Sequence, residues 1–105
     1  MARRVVVTGL GMVTPLGTGV AKNWEAVCAG KSGIGNITKF DASGFASRIA
    51  GEVTDFNPQD FMAKQQIRRF DVFIHYALAS TRMAMEDADL KINQKNAHRV
   101  GCVTG

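Results

Sequence analysis

Two short, uninterrupted, β-branched apolar runs near opposite ends constrain what this chain can fold into. Arg4 to Thr8 carries three consecutive valines, and His98 to Gly105 carries the run Val100-Gly101-Cys102-Val103. A strand that is apolar at every position rather than at alternate ones is one buried on both faces, the habit of parallel sheets. Helical periodicity fills much of the sequence between them, so the expected arrangement is α/β, a parallel pair joined by a right-handed crossover. A parallel sheet needs cover on both faces and further strands beside it. With 105 residues, 46% of them hydrophobic, there is room for one core at most. Only two such strands are legible, and the pattern predicts the front end of a larger sheet.

Between these runs the local signals fall in order. The first strand ends in Gly9-Leu10-Gly11-Met12-Val13-Thr14-Pro15-Leu16-Gly17, where glycine and proline break regular structure. Thr18 or Gly19 can cap a helix, whose apolar stripe is Val20, Trp24, Val27 and Cys28 and whose C-terminal glycine is Gly30. Lys31 to Phe56 holds no period for long. Turn clusters lie at Ser32-Gly33-Ile34-Gly35-Asn36 and Asp41-Ala42-Ser43-Gly44, and Ile49 to Val53 reads as a short edge strand. So long an irregular stretch predicts an excursion packed against something else. Asn57-Pro58-Gln59-Asp60 has the chemistry of a helix start. A long helix is expected from about Arg68 to Asp87. Its inner face would be Phe70, Ile74, Ala77, Leu78, Thr81, Met85 and Ala88, and its outer face Asp71, His75, Arg82 and Glu86, with Arg82 and Glu86 at ion-pair spacing.

Composition removes several classes of function. Thirteen Lys and Arg against nine Asp and Glu leave a net charge of +4, which favours acidic partners. Nucleic acid is not expected, because the basic residues do not alternate with stacking aromatics. Two cysteines make neither a disulfide scaffold nor a Cys-rich zinc site, and their apolar neighbours predict buried thiols in a reducing compartment. No run approaches the ~18 apolar residues of a membrane span, and the basic, then apolar, start lacks the long apolar region of a signal peptide. The sequence reads as soluble and cytoplasmic.

Candidate chemistry is sparse. Gly9-Leu10-Gly11 after a strand invites a dinucleotide reading, but Thr14 stands where the third glycine belongs and no acidic residue follows at ribose-binding distance. Cys102 and His75 make a poor nucleophile and base, because a valine-flanked strand cysteine lacks the electropositive setting that activates a thiol. His75 and His98 share no ligand spacing with Cys28 or Cys102, so no metal is expected, and no cofactor either. What remains is a basic cluster, Lys64, Arg68 and Arg69, with the first two one helical turn apart. Placed at the start of the long helix it opposes the macrodipole, so local stability does not explain it. It reads as a solvated face or as a docking site for an acidic partner.

Taken in order, Arg3-Arg4-Val5-Val6-Val7-Thr8-Gly9-Leu10-Gly11-Met12-Val13-Thr14-Pro15-Leu16-Gly17, Trp24, Gly30-Lys31-Ser32-Gly33-Ile34, Phe40-Asp41, Ala50-Gly51-Glu52-Val53, Arg68-Arg69-Phe70-Asp71, the Ala-rich helix to Ala88 and Arg99-Val100-Gly101 closely resemble the β-ketoacyl-[acyl-carrier-protein] synthases, in particular their type II members. These are the condensing enzymes of fatty acid synthesis, and the resemblance runs the length of the chain.

The resemblance implies a partial thiolase-like fold. Residues 1–105 would be the N-terminal part of the synthase N-terminal domain, with its first and second parallel strands and crossover helices. It implies decarboxylative condensation of malonyl-carrier protein with an acyl group held as a thioester on a cysteine, assisted by two histidines. The family's cysteine and both histidines lie downstream of Gly105, so no catalytic residue is assigned here and the isolated piece is expected to be inactive. Lys64, Arg68 and Arg69 match the family's basic patch for the acidic face of acyl carrier protein, although Gln65 and Gln66 replace residues often charged there. A homodimer is implied for the whole protein. Chain-length-factor subunits, non-catalytic partners of active synthases, resemble the family over the same region.

Overall fold

The computed structural model describes residues 2–105. Two antiparallel two-stranded ribbons and three α-helices organise the chain. Strands β1 (Val13–Thr14) and β2 (Gly17–Thr18) pair across Pro15 and Leu16. Helix α1 (Val20–Cys28) follows directly. Strands β3 (Ile34–Asn36) and β4 (Ile49–Gly51) form the second ribbon. A 3-10 turn at Pro58–Asp60 leads into α2 (Lys64–Arg69) and then α3 (Val72–Asp87), with a last 3-10 turn at Ala97–Arg99.

Helix α1 stops where glycine lets it stop. Gly30 adopts φ +66°, Gly30 N–H donates to the Val27 carbonyl, and Lys31 N–H reaches back to the Ala26 carbonyl. This pair of bonds satisfies two of the carbonyls that a helix end leaves open. The other end is held by a buried side chain that the apolar stripe did not reveal. Asn23, only 3% exposed, donates from Nδ2 to the carbonyls of Gly17 (2.9 Å) and Gly19 (2.8 Å). Its Oδ1 accepts the hydroxyl of Thr14. One amide thereby ties α1 to both strands of the first hairpin, and every polar atom it buries has a partner.

The expected long helix is two helices. Asp71 adopts an extended backbone and its carboxylate accepts the Val72 N–H at 2.7 Å, which starts α3 afresh. An Asp directly ahead of an apolar run is a helix start signal, and here it overrides the continuous periodicity. The inner face of α3 is also turned relative to the expected one. His75 and Ala79 are the buried residues of α3, whereas Ala77, Leu78 and Thr81 are exposed. Around them a small core gathers Met62 and a cluster in which Phe56 stacks on Phe61 and meets the Tyr76 ring edge-on at 5.1 Å.

Close approach of two backbones explains the Gly-Leu-Gly segment. A Cβ on Gly11 would stand 1.9 Å from the Ser80 carbonyl oxygen, and one on Gly9 would stand 2.3 Å from that of Ala84. Ser80 and Ala84 on α3 and Ala88 at its C-cap recur every four residues, so small side chains meet absent ones and the segment lies directly on the helix. Leu10 N–H donates to the Asp87 carboxylate at 2.9 Å across the same seam.

Several expectations need correction. Neither Arg4 to Thr8 nor His98 to Gly105 forms a strand among the described residues, and the expected parallel pair is absent. A strand exists through its ladder, and these runs have none; Val5 is 92% exposed and Val103 is 99% exposed. The α1 stripe faces outward, with Trp24 68% exposed, while Asn23 and Ala26 are buried. Cys28 and Cys102 are both exposed thiols. Ile34 to Asn36, read as part of a turn cluster, is a strand because Ile49 to Gly51, the expected edge strand, supplies its partner.

The whole is far from closed. The radius of gyration is 17.1 Å, against about 13 Å for a compact domain of this length. The accessible surface is 8801 Å², some ~3,100 Å² above what a closed monomer of this mass exposes. That excess is about four times the ~800 Å² that one partner contributes to a standard protein–protein interface.

Candidate functional site

Helix α2 carries the three candidate cations, and the break at Asp71 changes their electrostatic setting. Arg68 and Arg69 occupy the last turn of α2 rather than the start of the long helix. There they face the carbonyl end of the helix, which favours positive charge, so the expected conflict with the macrodipole does not arise for them. Lys64 is the first residue of α2. Lys64 and Arg68, one turn apart, share a shallow groove of about 250 Å³ with Gln59 and Ile67. Arg69 lies about 100° further round the helix from Arg68.

All three residues are exposed, and none forms an ion pair among the described residues. The two ion pairs found there lie elsewhere: Lys22 to Asp55 at 2.7 Å and Arg82 to Glu86 at 2.9 Å, the latter as expected from spacing. Three cations on a six-residue helix, with no acid paired to them among the described residues, form a patch that repels itself. Such a patch is satisfied by an external anion better than by its own protein.

What holds α2 in place is partly a residue that sequence reasoning put on the outside. His75 is 5% exposed, and its Nε2 lies 3.2 Å from the Ile67 carbonyl oxygen. A carbonyl only accepts, so the ring donates. Gln66 closes the other end, its Oε1 accepting the Ala63 N–H at 3.2 Å. The signal available in sequence was spacing: His75 lies four residues before Ala79 and on the same face.

No cysteine or histidine lines any of the grooves described. His75 is engaged with Ile67, and Cys102 and His75 form no hydrogen-bonded dyad. No group of three or more His, Cys, Asp or Glu is placed to hold a metal among the described residues. Three acids are held as carboxylates by their neighbours. Hydrogen bonds from Thr38, then from the Lys39 backbone, hold Glu52 below the ordinary glutamate range. A hydrogen bond from Lys22 and its charge do the same for Asp55, and Ser43 for Asp41. These are clamps on loops, and none of them lies on α2. A separate apolar groove of about 570 Å³ lies along α1, lined by Leu10, Leu16, Val20, Trp24, Val27 and Ile34. It is the structural form of the outward stripe.

Comparison with known proteins gives the chain a family. Residues 2–105 match the family model described as Beta-ketoacyl synthase, N-terminal domain. Over 103 residues the chain is 52% identical to the 3-oxoacyl-[acyl-carrier-protein] synthase 2 of Coxiella burnetii, covering 98% of this chain and 25% of that protein. The enzymes of the same name from Vibrio cholerae and Synechocystis are 46% and 44% identical with the same coverage. The chain thus spans about a quarter of the length of the curated relatives it matches. Among solved structures it resembles the ishigamide ketosynthase/chain length factor, with a TM-score of 0.75 and 40% identity over 85% of this chain and 22% of that one. The chain therefore belongs to the β-ketoacyl synthase family and carries an N-terminal part of its α/β, thiolase-like scaffold.

Proposed function

We propose that the protein of which this chain is a part is a condensing enzyme of fatty acid synthesis, a β-ketoacyl-acyl carrier protein synthase of the second type. Residues 1–105 would be the first part of its N-terminal domain. The observation that carries the reading is the 52% identity, spread over 98% of the chain, to a 3-oxoacyl-[acyl-carrier-protein] synthase 2. In the reaction a cysteine thiolate accepts the acyl group as a thioester. Malonyl-carrier protein then loses carbon dioxide, and the carbanion left behind attacks the thioester carbonyl. A carbon–carbon bond forms, the thiolate leaves, and the chain is two carbons longer.

This chain's share of that work is scaffolding and docking. Lys64, Arg68 and Arg69 are exposed, free of ion pairs among the described residues and grouped on one short helix. They suit the acidic surface of acyl carrier protein, in both its acyl and malonyl forms. The reacting cysteine and histidines belong to the remainder of the polypeptide. Cys28 and Cys102 are exposed, and His75 spends its ring donor on Ile67. The open apolar surface at Val5 to Val7, Trp24 and Val103 is where the rest of the domain would cover the chain, completed by a second subunit in a homodimer. A soluble carrier protein as substrate places the reaction in the cytoplasm, in keeping with the described residues, where no helix is long and apolar enough to cross a membrane.

The test is direct. Full-length protein incubated with acyl- and malonyl-carrier protein should release carbon dioxide and yield the β-ketoacyl product, while the 105-residue piece alone yields neither. Condensation by the piece would overturn the division of labour. No condensation by the full-length protein alone, with activity appearing only beside a second synthase subunit, would favour a non-catalytic partner of the chain-length-factor kind.

A further inference from the structure

The basic helix is too short to orient itself. Six residues make less than two turns, about 9 Å of rise. A helix of this length gains little from its own hydrogen bonds. Its C-terminal carbonyls are open, because Phe70 N–H takes that of Gln66 and the backbone turns away into Asp71 before the next can be met. The first of these open carbonyls, Ile67, is one residue before Arg68 and lies between the two cations that share the groove. It is the one that the buried His75 ring reaches, at 3.2 Å.

We infer that His75 is a positioning residue for carrier-protein docking. It fixes α2 against α3, so that Lys64, Arg68 and Arg69 are presented together in one fixed arrangement rather than on a loosely attached turn. The inference rests on the docking role proposed above and adds to it which residue sets the patch. Three features carry it. The ring is buried on the inner face of α3, where an apolar side chain is the ordinary occupant. Its Nε2 hydrogen bond goes to another element rather than within its own helix. That element carries the three cations, and its last-turn carbonyls have no helical partner. Docking to a rigid patch avoids the cost of ordering it at the moment of binding, so loss of the clamp appears as weaker association.

The experiment uses the full-length protein with acyl carrier protein as the probe. His75→Gln keeps a donor at about the position of Nε2, His75→Asn is too short to reach Ile67, and His75→Phe keeps the bulk without the donor. The dissociation constant for His75→Asn and His75→Phe should rise about three- to tenfold, the range set by one lost hydrogen bond. His75→Gln should recover most of the affinity. The KM for carrier-protein substrates should follow the same order with kcat unchanged, a split that general destabilisation does not produce. Should His75→Phe fail to fold, the Gln and Asn pair decides the matter alone. Arg68→Glu with Arg69→Glu separates the two ideas. If that charge reversal weakens binding but His75→Asn and His75→Gln bind as the native protein does, the clamp is wrong and docking stands. If charge reversal leaves binding unchanged, the docking role itself is lost and the clamp with it.

Discussion

Replacing Gly11 by Ala tests the seam on which the chain's architecture turns. The added Cβ would stand 1.9 Å from the Ser80 carbonyl oxygen and 2.8 Å from the Ala84 nitrogen. Ordinary carbon–oxygen contact needs about 3.3 Å or more, so the segment and α3 must part by roughly 1.4 Å. The opposing atoms are helix backbone, which has no rotamer to yield, and overpacking of this kind costs about 1–3 kcal/mol. Parting also stretches the bond from Leu10 N–H to the Asp87 carboxylate, now 2.9 Å, and a hydrogen bond to a charged group is worth ~1.5–3 kcal/mol. The sum is about 3 kcal/mol or more. Gly35→Ala is the control, because a Cβ there meets nothing within 4 Å and φ is not positive. Scanning calorimetry of the full-length protein should show Gly11→Ala melting well below the native form, or failing to accumulate as soluble protein, with Gly35→Ala near native. Equal melting temperatures for the two variants would refute the close-approach reasoning.

Other expectations follow from single contacts. Asn23→Leu takes the buried amide donor from the Gly17 carbonyl and one of two partners from the Gly19 carbonyl and the Thr14 hydroxyl, so urea midpoints should drop by the equivalent of ~1–3 kcal/mol; a native-like midpoint would mean that the hairpin does not depend on this amide. For Glu52, whose carboxyl is held low by Thr38 and Lys39, the clamp is complete above the ordinary glutamate range and is lost as pH falls through the lowered folded value. Amide exchange at Thr38 and Lys39 should therefore stay slow below the pH at which an ordinary glutamate protonates, and Glu52→Gln should abolish that pH dependence. Loss of protection already in the ordinary range would contradict it.

Helix ends were more legible in the sequence than helix faces. Gly30 and the Asn57-Pro58 pair announce themselves because conformations with positive φ or fixed φ admit few residues, whatever lies around them. Faces depend on what covers them. The stripe Val20, Trp24, Val27 and Cys28 is a true apolar stripe, yet its first three residues border an open groove, because nothing among the described residues covers it. The valine run at Val5 to Val7 fails as a strand for the same reason: alternation and branching describe a strand's side chains, but its ladder needs a neighbour. The division of the long helix has a signal in the sequence, since Asp71 ahead of Val72-Phe73-Ile74 carries the chemistry of a cap, but the apolar period runs through it unbroken.

The candidate site was half visible. Lys64, Arg68 and Arg69 stand out by charge, and the structure keeps them exposed on one helix. Their support did not stand out. His75 carries no pattern that marks it as a clamp, because its partner is a backbone carbonyl eight residues away and backbone carbonyls leave no trace in sequence. Gly9 and Gly11 were legible as special and not as to why; the matching row Ser80, Ala84 and Ala88 was the available clue.

Salt dependence of carrier-protein binding reaches the central claim most directly. Affinity of the full-length protein for acyl carrier protein, measured by titration calorimetry from low to physiological ionic strength, should fall steeply as salt rises. Arg68→Glu with Arg69→Glu should bind more weakly at every salt concentration and show a flattened slope. Native and charge-reversed proteins that bind alike, with the same slope, would contradict the assignment of α2 as the docking element.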